Sequence, residues 1–513
     1  MSVFFKRLKN LVTPVGQRRW IYVPYDQLTA DIGPLTEQPA HQTGIVLIET
    51  PAKAARRPYH KQKLALILAN QRHFALEQAS RGVAVRYVVS KDGYAAALSA
   101  MTEPLIMMEA AERELRVELQ PLIDRGSLRL VPHAGWLTKP ALFSQLPGPP
   151  WRMDAFYRLA RNASGVLMDA GKPRGGKWSY DGENRLPWKG TPAAPEPPRF
   201  TPDDITIEVG ELIRTRFEAH PGELDLTTLP ATAADAAHLW RWAIEHCLPW
   251  FGPFEDAMSR RSTGLFHTRI APLLNIHRLL PQTVIDEVTA LPLPLASQEG
   301  FIRQILGWRE FVRHVHVSTD GFRTVPANIL GNHAALPPTY WPGAPSGLAC
   351  LDRVVEDVWR DGYSHHITRL MVLANIALLL DVDPRHITEW FWVAYSDAFE
   401  WVVEPNVMAM GSFATGTLMT TKPYLGGGAY IHRMSDHCQA CRFDPAKNCP
   451  ITTLYWDWFR RHGEAVQGNP RMTTILAGHA KRGAPRHAID QLRADDIRRQ
   501  LASGTRLSPE SLG

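Results

Sequence analysis

The chain reads WIYV at residues 20–23, IVLI at 45–48, VAVRYVV at 83–89, LIMM at 105–108 and LRLV at 128–131. Each run is short, largely apolar and bounded by turn or polar residues, as β-strands are. Helical patterns separate the runs, most clearly at 59–81, which ends before Gly82. Apolar strands that alternate with helices form parallel sheets covered on both faces. The sequence therefore predicts a doubly wound parallel-sheet α/β domain over residues 18–145.

Glycine-rich phosphate motifs are missing from this region. Neither G-x-G-x-x-G nor G-x-x-x-x-G-K-[ST] follows any of the five runs, which excludes the Rossmann and P-loop phosphate sites. A doubly wound sheet still holds ligands at the point where its strand order reverses. The missing motifs therefore do not exclude a ligand site at that point.

The second half of the chain is predicted to be helical. Five apolar residues recur at the spacing of one helical face: Phe301, Ile305, Trp308, Val312 and Val315. Asp383 followed by Pro384 is a helix cap with a first-turn proline, and it predicts a helix that runs to Ala394. Residues 231–513 are therefore predicted to form an all-α domain.

The segment between the two domains is rich in proline. Its prolines form two clusters: Pro147, Pro149, Pro150, Pro192, Pro195, Pro197 and Pro198. Residues 146–230 are therefore predicted to be a long interdomain connector with a helix at 153–161. Residues 1–17 form a basic N-terminal extension that contains Lys6, Arg7 and Lys9.

The composition is that of a globular protein. With 45% apolar and 21% charged residues over 513 positions, wholesale disorder is excluded. The longest apolar run, residues 370–380, is much shorter than the about 20 residues of a membrane span, and no secretory signal is visible. Five cysteines are too few for a disulfide scaffold, and their odd number favours a reducing compartment. We therefore expect a cytoplasmic monomer with no membrane segment.

Three cysteines stand close together near the C-terminus. Cys438 and Cys441 are two residues apart, and Cys449 follows, directly before a proline. Thiolates this close need a cation or cluster between them, unless they are protonated. The spacing leaves both an iron–sulfur cluster and a zinc ion open. It also leaves Cys350 and Cys247 open as the fourth ligand.

Two stretches of the helical half carry a family resemblance. Residues 266–275 read FHTRIAPLLN and residues 301–311 read FIRQILGWREF. They resemble the T-S-R-L-S-P stretch and the R-Q-L-x-W-R-E helix of photolyases and cryptochromes. GYSHH at 362–366, DAFEW at 397–401 and TKPY at 421–424 match further. Together with the cysteines, these matches make the chain similar to the iron–sulfur bacterial photolyases and cryptochromes, the prokaryotic (6-4) photolyase group, over almost its whole length.

The resemblance implies two cofactors. Members of the family have an α/β antenna domain followed by a helical domain that binds FAD, here residues 231–513. They carry a [4Fe–4S] cluster on four cysteines, and the matching residues exclude Cys247 and zinc: Cys350, Cys438, Cys441 and Cys449. The residues that the resemblance assigns to FAD are Thr268, Arg269, Gln304, Trp308, Asp397, Glu404 and Asn406.

The resemblance also implies light-driven repair of damaged DNA. Photolyases donate an electron from reduced flavin to a pyrimidine lesion, which has to leave the duplex stack first. A (6-4) photoproduct additionally needs a proton transfer, which suits a histidine with a free pKa of about 6.5. The family match makes His366 the acid, supported by His365 and Tyr424. Taken alone, a His-His pair is more often a helix cap or a hydrogen-bonded pair.

Tryptophans are implied as an electron relay to the flavin. Trp341 and Trp390 match the photoreduction relay of the family. Phe391 stands where the family often has tyrosine, and it is a poor relay because it has no phenolic proton to lose. Trp392 is the expected substitute, and core packing on the helix after Pro384 is the alternative for it.

The α/β domain resembles antenna domains that bind 6,7-dimethyl-8-ribityllumazine. The G-D-Q-L of the family appears here as Tyr25-Asp-Gln-Leu28. Asp26, Gln27 and Glu49 keep groups that would hydrogen bond to a pterin-like ring. Tyr25 replaces glycine and adds bulk where the backbone would approach the chromophore, so an altered or empty antenna site is the alternative.

Two further matches concern the reaction. Asp181 and Asp256 are counterparts of acidic residues linked in the family with Mg²⁺-assisted lesion binding. A glutamate usually lies near flavin N5 in the family, but here Val403 occupies that place and Glu404 comes one residue late. A shift of one residue turns a helical side chain by about 100°, which would aim the carboxylate away from the ring.

Two classes of function follow from the sequence. The leading one is a (6-4) photolyase acting on DNA, supported by the histidine pair, by Tyr424 and by the net charge of +6. The alternative is a cryptochrome-type blue-light photoreceptor that carries FAD and the cluster but repairs nothing, and Val403 and Phe391 favour it. A more remote third reading is a zinc-bearing structural protein with a degenerate photolyase fold.

Overall fold

A computed structural model describes residues 2–11 and 16–512. Its N-terminal part holds a sheet of five parallel strands in the order β3-β2-β1-β4-β5. These strands are β1 (Arg19–Tyr22), β2 (Thr43–Glu49), β3 (Ala84–Val89), β4 (Leu105–Met108) and β5 (Leu128–Val131). The prediction of a parallel sheet is confirmed. The strand order reverses between β1 and β4, so a ligand site is expected at the carboxyl ends of these strands.

Helices connect and flank these strands. They are α1 (Val3–Asn10), α2 (Pro51–Ala55), α3 (Lys61–Ser80), α4 (Tyr94–Ser99), α5 (Arg113–Asp124) and α6 (Pro140–Phe143). The helix expected at 59–81 is α3. It begins after His60, whose Nδ1 accepts a hydrogen bond from the backbone N of Gln62 at 3.0 Å, and the chain turns away at Gly82 with φ +86°.

The proline-rich segment contains more regular structure than its composition indicates. It holds α7 (Met153–Ser164), the paired strands β6 (Met168–Asp169) and β7 (Lys172–Pro173), and α8 (Asp204–Arg216). The helix predicted at 153–161 is α7, whereas α8 has no counterpart in the prediction. Val209 and Ile213 of α8 pack with Ala65 and Leu66 of α3. This segment therefore adds a helix to the α/β part as well as linking the two halves.

The remainder of the described chain is mostly helical, as predicted. Its helices are α9 (Ala233–Trp242), α10 (Leu248–Phe254), α11 (Ala271–Asn275), α12 (Pro281–Ala290), α13 (Leu295–Ile302), α14 (Glu310–Ser318), α15 (Ala349–Asp361), α16 (His366–Thr368), α17 (Asn375–Leu379), α18 (Pro384–Ala394), α19 (Glu400–Val403), α20 (Gly428–Met434), α21 (Pro450–His462), α22 (Thr473–Lys481) and α23 (Gly483–Ala502). Among residues 2–11 and 16–512, no helix combines the length and the apolarity that a membrane span requires.

A π-helical turn interrupts the helix that was predicted from residue 301 onward. Residues Arg303–Arg309 have the wider turn and join α13 to α14 without a break in the chain direction. Ile305 and Leu306 are buried there, whereas Trp308 is only partly buried. The single helix is confirmed, but the extra residue in the turn rotates Trp308 off the fully buried face.

Helix α15 leads directly to the predicted catalytic residues. It begins at Ala349, one residue before Cys350, and ends at Gly362, which adopts a left-handed conformation with φ +61°. Glycine suits this position because it has no Cβ to clash with the preceding turn. The chain then runs into His365 and α16.

Candidate functional site

An arginine-rich cavity of about 300 Å³ lies between residues 195–200, the loop before α11 and helix α15. Five arginines line it: Arg199, Arg261, Arg269, Arg353 and Arg360. Two acidic residues, Glu196 and Asp361, also line it, so basic side chains outnumber acidic ones. Guanidinium groups around a cavity bind phosphate oxygens well, since they donate several hydrogen bonds from one plane.

The backbone holds Arg269 at the wall of this cavity. Its φ of +58° is a left-handed conformation that side chains other than glycine rarely adopt. The guanidinium lies over the ring of Tyr363, 4.3 Å from the centroid. Gly264 makes room for it, because a Cβ at Gly264 would lie 2.9 Å from Nε of Arg269. Thr268, directly before Arg269, is buried outside the cavity lining.

An ion pair lies next to Tyr363. Nη1 and Nη2 of Arg369 donate hydrogen bonds to the two carboxylate oxygens of Asp397, at 2.9 Å each. The guanidinium of Arg369 is 4.0 Å from the ring centroid of Tyr395. Burial opposes the charge of Arg369, but Asp397 keeps its pKa above the ordinary value, so the guanidinium stays charged. The pair therefore offers a fixed, oriented dipole to a planar ligand.

The other residues predicted to bind FAD have partners within the protein. Nε2 of Gln304 donates to Oε1 of Glu255 at 2.6 Å, and Nδ2 of Asn406 donates to the carbonyl oxygen of Val402 at 2.8 Å. Trp308 stands edge-on to Phe311 with ring centroids 6.1 Å apart. The structure thus places Arg269 at the cavity and Asp397 beside it, while Gln304, Trp308 and Asn406 are not part of the lining.

Glu404 faces helix α14, and its contact with the flavin stays a prediction. Its Oε2 lies 3.1 Å from Nε2 of His316, and its Oε1 lies 3.4 Å from Nη1 of Arg323. Glu400, one helical turn earlier, has its Oε1 3.6 Å from Nη2 of Arg323 and accepts a hydrogen bond from the backbone N of Glu114 at 2.9 Å. The physical reason is the one-residue delay noted in the sequence, which rotates the carboxylate by about 100°.

His365 and His366 meet a third histidine, His267. The rings of His365 and His267 stack with centroids 4.6 Å apart, and the ring of His366 stands edge-on to His267 at 5.2 Å. Burial, together with the neighbouring imidazoles of His267 and His366, holds the pKa of His365 well below its ordinary value. His365 therefore stays neutral at neutral pH, while His366 is exposed to solvent.

Charged side chains surround the exposed side of His366. Oδ1 of Asp256 lies 3.5 Å from Nε2 of His366, and Oδ2 of Asp256 lies 3.6 Å from Nε of Arg185. Arg185 also donates a hydrogen bond to Asp181. Burial and the charge of Asp181 raise the pKa of Tyr424, so its phenol keeps its proton. The structure thus gathers Asp181, Asp256, Tyr424 and the histidine pair around one face, although they are far apart in sequence.

Four cysteines line one small cavity: Cys350, Cys438, Cys441 and Cys449. Gly428 of α20 allows the close approach, because a Cβ there would lie 2.8 Å from Sγ of Cys449. Cys247 lies elsewhere, with its Sγ 3.7 Å from the carbonyl oxygen of His267. The grouping is the one that the sequence resemblance implied.

The donor set of this cavity fits a thiolate-bound cofactor. Burial and the neighbouring thiols raise the pKa of Cys438 to about 12 and push that of Cys350 well above its ordinary value. Four thiolates that line one small cavity would repel one another unless a cation or a cluster lay between them. Four sulfur donors fit both a [4Fe–4S] cluster and a zinc ion.

A row of aromatic rings joins the interior to the surface. The ring of Trp390 lies 5.9 Å from that of Trp359, and the ring of Trp359 lies 5.3 Å from that of Trp341. At the inner end, the ring of Tyr395 lies 6.1 Å from that of Trp390. Trp390 and Trp359 are buried, whereas Trp341 is partly exposed. The two relay residues predicted from the sequence therefore belong to one connected row.

Trp392 is not in contact with the rings of this row, which favours the packing alternative for it, and its role as a relay residue stays a prediction. The guanidinium of Arg57 lies over its ring, 4.2 Å from the centroid. Trp392 also lines a cavity of about 110 Å³ between the α/β part and the helical part. The reason is helical geometry, since two residues of a helix that are two positions apart point about 200° apart.

The cavity between the two parts lies at the carboxyl ends of β1 and β2, beside the reversal between β1 and β4 where a ligand site was expected. Tyr25 and Lys53 line it, and both form hydrogen bonds with the buried carboxylate of Glu112. Glu49 lines it as well, although its carboxylate is paired with Nη2 of Arg72 at 3.1 Å. The Tyr25 side chain thus occupies part of the region where the family has glycine.

Asp26 and Gln27 do not line this cavity, and their contact with an antenna chromophore stays a prediction. Nε2 of Gln27 donates to the carbonyl oxygens of Met108 and Glu109, at 3.3 and 3.1 Å. Asp26 is buried, and burial followed by the charge of Glu112 raises its pKa to about 7. Gln27 thus ties the turn after β1 to the end of β4, and Glu49 alone of the three lines the cavity.

Sequence reasoning missed His267 and Trp359. His267 directly precedes Thr268 inside the stretch that carries the resemblance, so its position was visible but its role was not. Trp359 lies on the apolar face of α15, where nothing in the local pattern distinguishes a relay residue from a core residue.

Comparisons with known proteins agree with this architecture. Residues 21–228 match the family described as "Deoxyribodipyrimidine photo-lyase-related protein". A protein of Agrobacterium fabrum named "(6-4) photolyase" is 34% identical over 487 residues, which is 89% of this chain and 94% of that protein. Two solved structures share the fold. They are a bacterial class III photolyase from Agrobacterium tumefaciens (TM-score 0.53, 15% identity, 96% of this chain and 98% of that chain) and an archaeal photolyase from Sulfolobus tokodaii (TM-score 0.54, 12% identity, 91% and 100%). The chain therefore belongs to the photolyase family, in the prokaryotic (6-4) photolyase group.

Proposed function

We propose that the protein is a (6-4) photolyase, an enzyme that uses light to repair (6-4) pyrimidine photoproducts in DNA. The observation that carries the proposal is the exposed His366 beside Asp256, with neutral His365 behind it and Tyr424 on the same face. The relative that carries this name is 34% identical over almost the whole chain, which supports the same activity.

The histidine face supplies the proton chemistry that this lesion needs. Repair moves a group back from one base to the other, and a proton has to be given and then retaken. Nε2 of His366 gives this proton, and Asp256 at 3.5 Å balances the positive charge of the imidazolium. Tyr424, which keeps its phenolic proton, orients the lesion by a hydrogen bond.

FAD, when bound, supplies a light-excited electron donor. Arg269 and the arginines around it would hold the two phosphates, because they form the basic lining of the cavity. The Arg369–Asp397 pair would face the ring system, since Arg369 and Arg269 both lie near the ring of Tyr363. The lesion enters this region only after it has flipped out of the duplex.

The four clustered cysteines would hold a [4Fe–4S] cluster. Cys350 is at the start of α15 and the other three lie between α20 and α21, so the cluster would fasten the C-terminal segment to α15. A zinc ion on the same sulfurs is the alternative. Iron and acid-labile sulfide in purified protein would support the cluster, and one zinc per chain without iron would refute it.

Two further ligands are proposed with different support. Lumazine would enter the cavity between the two parts, but Tyr25 narrows this cavity to about 110 Å³, and ligand sites are usually about 300 Å³ or more. Mg²⁺ would bridge Asp181 and Asp256, where Arg185 now bonds to both. We therefore propose that the antenna site is altered and that Mg²⁺ binds only when a lesion displaces Arg185.

Damaged DNA is the proposed partner, and the protein is proposed to act as a cytoplasmic monomer. The net charge of +6 and the exposed Arg185 beside His366 suit a phosphate backbone. The alternative function is a cryptochrome-type photoreceptor. Phe391 and the position of Glu404 favour it, since both depart from the family pattern near the flavin.

A repair assay separates the two functions. Purified protein with chemically reduced flavin is mixed with an oligonucleotide that contains one (6-4) photoproduct, and blue light is applied. Loss of the lesion only in the light supports the photolyase. Bound FAD with no loss of lesion leaves the photoreceptor.

A further inference from the structure

We propose that Trp359 is the relay residue that carries electrons between Trp341 and Trp390 when light reduces the flavin. This inference rests on the proposed flavin site and adds a residue to its electron supply. Trp359 lies on α15, and the family pattern in the sequence gives no reason to select it.

The ring distances place Trp359 in the middle of the path. Its indole stacks on Trp341 with centroids 5.3 Å apart and ring planes 20° from parallel. It stands edge-on to Trp390 at 5.9 Å and 87°. Both separations are within the range of direct aromatic contact, about 4.5–7 Å. An electron that leaves Trp341 therefore meets Trp359 before it meets Trp390.

Burial orders the three rings from solvent to interior. Trp341 is partly exposed, Trp359 is 5% exposed and Trp390 is 2% exposed. A dissolved reductant can reach the outer ring only. The inner end of the row is Tyr395, which stacks with Arg369 of the ion pair proposed to face the flavin.

A single carbonyl group holds the two inner indoles in register. Nε1 of Trp359 donates to the carbonyl oxygen of Tyr340 at 2.8 Å, and Nε1 of Trp390 donates to the same oxygen at 2.9 Å. Trp341 is the next residue after Tyr340 in the chain. The backbone at Tyr340 and Trp341 thus fixes the geometry of the whole row.

The surroundings of Trp359 favour loss of an electron from its ring. His60 stacks parallel to it, with centroids 5.7 Å apart. Nδ1 of His60 accepts a hydrogen bond from Gln62, so the proton is on Nε2, which donates to the carbonyl oxygen of Trp359 at 3.1 Å. Burial lowers the pKa of His60 to about 4, so the stacked imidazole carries no charge that would oppose a positive indole.

Four electron transfers complete the proposed path. Trp390 gives one electron to the light-excited oxidised flavin, Trp359 refills Trp390, and Trp341 refills Trp359. A dissolved thiol then gives one electron to Trp341 and is itself oxidised. The net change is one electron from the thiol to the flavin, and each tryptophan returns to its starting state. Phe391 has no part in this path.

The test measures flavin reduction in blue light with a thiol as the electron source. Trp359→Phe should bind FAD in the wild-type amount, judged by the flavin absorbance, but should photoreduce it at least tenfold more slowly. Trp341→Phe should behave in the same way, and the double variant should be no slower than either single one, because the rings act in series. Trp240→Phe is the control, since Trp240 is buried in another cluster and contacts Phe301.

Chemical reduction of the flavin separates this inference from the proposed function. Trp359→Phe with dithionite-reduced flavin should repair the lesion at the wild-type rate. Wild-type photoreduction in Trp359→Phe would overturn the relay. A wild-type protein that binds no FAD would overturn the proposed flavin site instead. If Trp359→Phe is insoluble, Trp359→Tyr takes its place. Transient absorption of Trp341→Phe should then show an oxidised indole that stays on a buried tryptophan. Absence of this oxidised buried indole would overturn the proposal.

Discussion

Nε2 of His366 lies 3.5 Å from Oδ1 of Asp256, whereas Nδ1 of the neighbouring His365 has no hydrogen-bond partner. Two adjacent histidines thus have opposite environments. His365 is 3% exposed and stacked on His267, while the side chain of His366 is 44% exposed beside a carboxylate. His365 is enclosed by other rings, whereas His366 has a carboxylate beside it and access to solvent, which gives the two residues different tasks.

Replacement of His366 should abolish repair without loss of the cofactor. We expect His366→Ala to lose at least a hundredfold in repair rate, because general acid catalysis contributes about 10²–10⁴-fold. Flavin absorbance should be unchanged, since His366 does not line the arginine-rich cavity. His432→Ala, an exposed histidine on α20, is the matched control. Retained repair in His366→Ala would refute its role.

Removal of the Asp256 charge should weaken repair but not lesion binding. Asp256→Asn keeps the size of the side chain and removes the negative charge beside the His366 imidazolium. We expect repair to be about two- to fivefold slower in single-turnover experiments, because a solvent-screened ion pair is worth about 0.2–1 kcal/mol. Lesion affinity, measured by fluorescence anisotropy, should stay within a factor of two. A drop in affinity with an unchanged rate would assign Asp256 to binding instead.

Cysteine replacements should separate the clustered thiols from the lone one. Cys438→Ser should lose iron and give poorly soluble protein, because its sulfur shares a cavity with three others. Cys247→Ser is the matched control, since Cys247 is buried outside this cavity. In the described chain, the hydrogen-bond acceptor that its Sγ contacts is the carbonyl oxygen of His267. Iron per chain and the soluble fraction are the measurements. Equal iron content in both variants would contradict the assigned ligand set.

Loss of the Arg269 guanidinium should release FAD. Hydrogen bonds to charged groups are worth about 1.5–3 kcal/mol, so Arg269→Met should weaken FAD binding by roughly ten- to a hundredfold. Arg216→Met removes an exposed arginine at the end of α8 and should leave binding unchanged. Titration of apoprotein with FAD measures both. Wild-type affinity in Arg269→Met would show that the phosphates lie elsewhere.

The stability of the fold should depend on pH through Glu400. Burial, followed by the charge of Glu112, raises the pKa of Glu400 to about 7, and Glu114, Glu404 and Arg323 also face it. A raised carboxyl pKa contributes stability that is complete below the unfolded value of about 4.3 and is lost as pH rises through about 7. Glu400→Gln should therefore melt at a higher temperature than wild type at pH 8 and at a similar temperature at pH 5. At pH 8 the free energy of unfolding of Glu400→Gln should exceed that of wild type by roughly 3 kcal/mol.

Glu112→Gln should change the stability at high pH in the opposite direction from Glu400→Gln. Burial alone would raise the pKa of Glu112, but Lys53 overcomes it and lowers this pKa to about 2. A lowered carboxyl pKa contributes stability above the unfolded value that is lost as pH falls toward 2. Glu112→Gln should thus be destabilised at pH 8, where Glu400→Gln is stabilised. The same shift in both variants would refute this assignment.

The parallel sheet was predictable because each strand is decided by its own short apolar run. LIMM and LRLV end up as β4 and β5 with the expected bounds. Helix α8 was missed because it lies between prolines, Pro202 before it and Pro221 after it, in a segment whose composition indicates a connector. The contact with α3 that stabilises it joins residues more than a hundred positions apart, and no local pattern records it.

The site could be predicted only where one residue type has few possible roles. The clustered cysteines were identified because thiols this close have little other use. Gln304 and Asn406 were assigned to the cofactor, but amides bond equally well to a nearby carboxylate or carbonyl, as both do here. The direction of a side chain is equally hard to predict, because a shift of one residue along a helix turns it by about 100° and a shift of two residues nearly reverses it.

Helix α15 carries Cys350 at its beginning and Trp359 near its end, and the chain then passes Gly362 to reach His365. A helix rises about 1.5 Å per residue, so Cys350 and Trp359 lie some 14 Å apart along the axis of α15. If the four cysteines hold the proposed cluster, its loss by oxidation would loosen α15 and disturb flavin photoreduction and proton delivery together. We expect ageing protein to fail as a unit, with photoreduction and repair declining at the same rate while iron is lost.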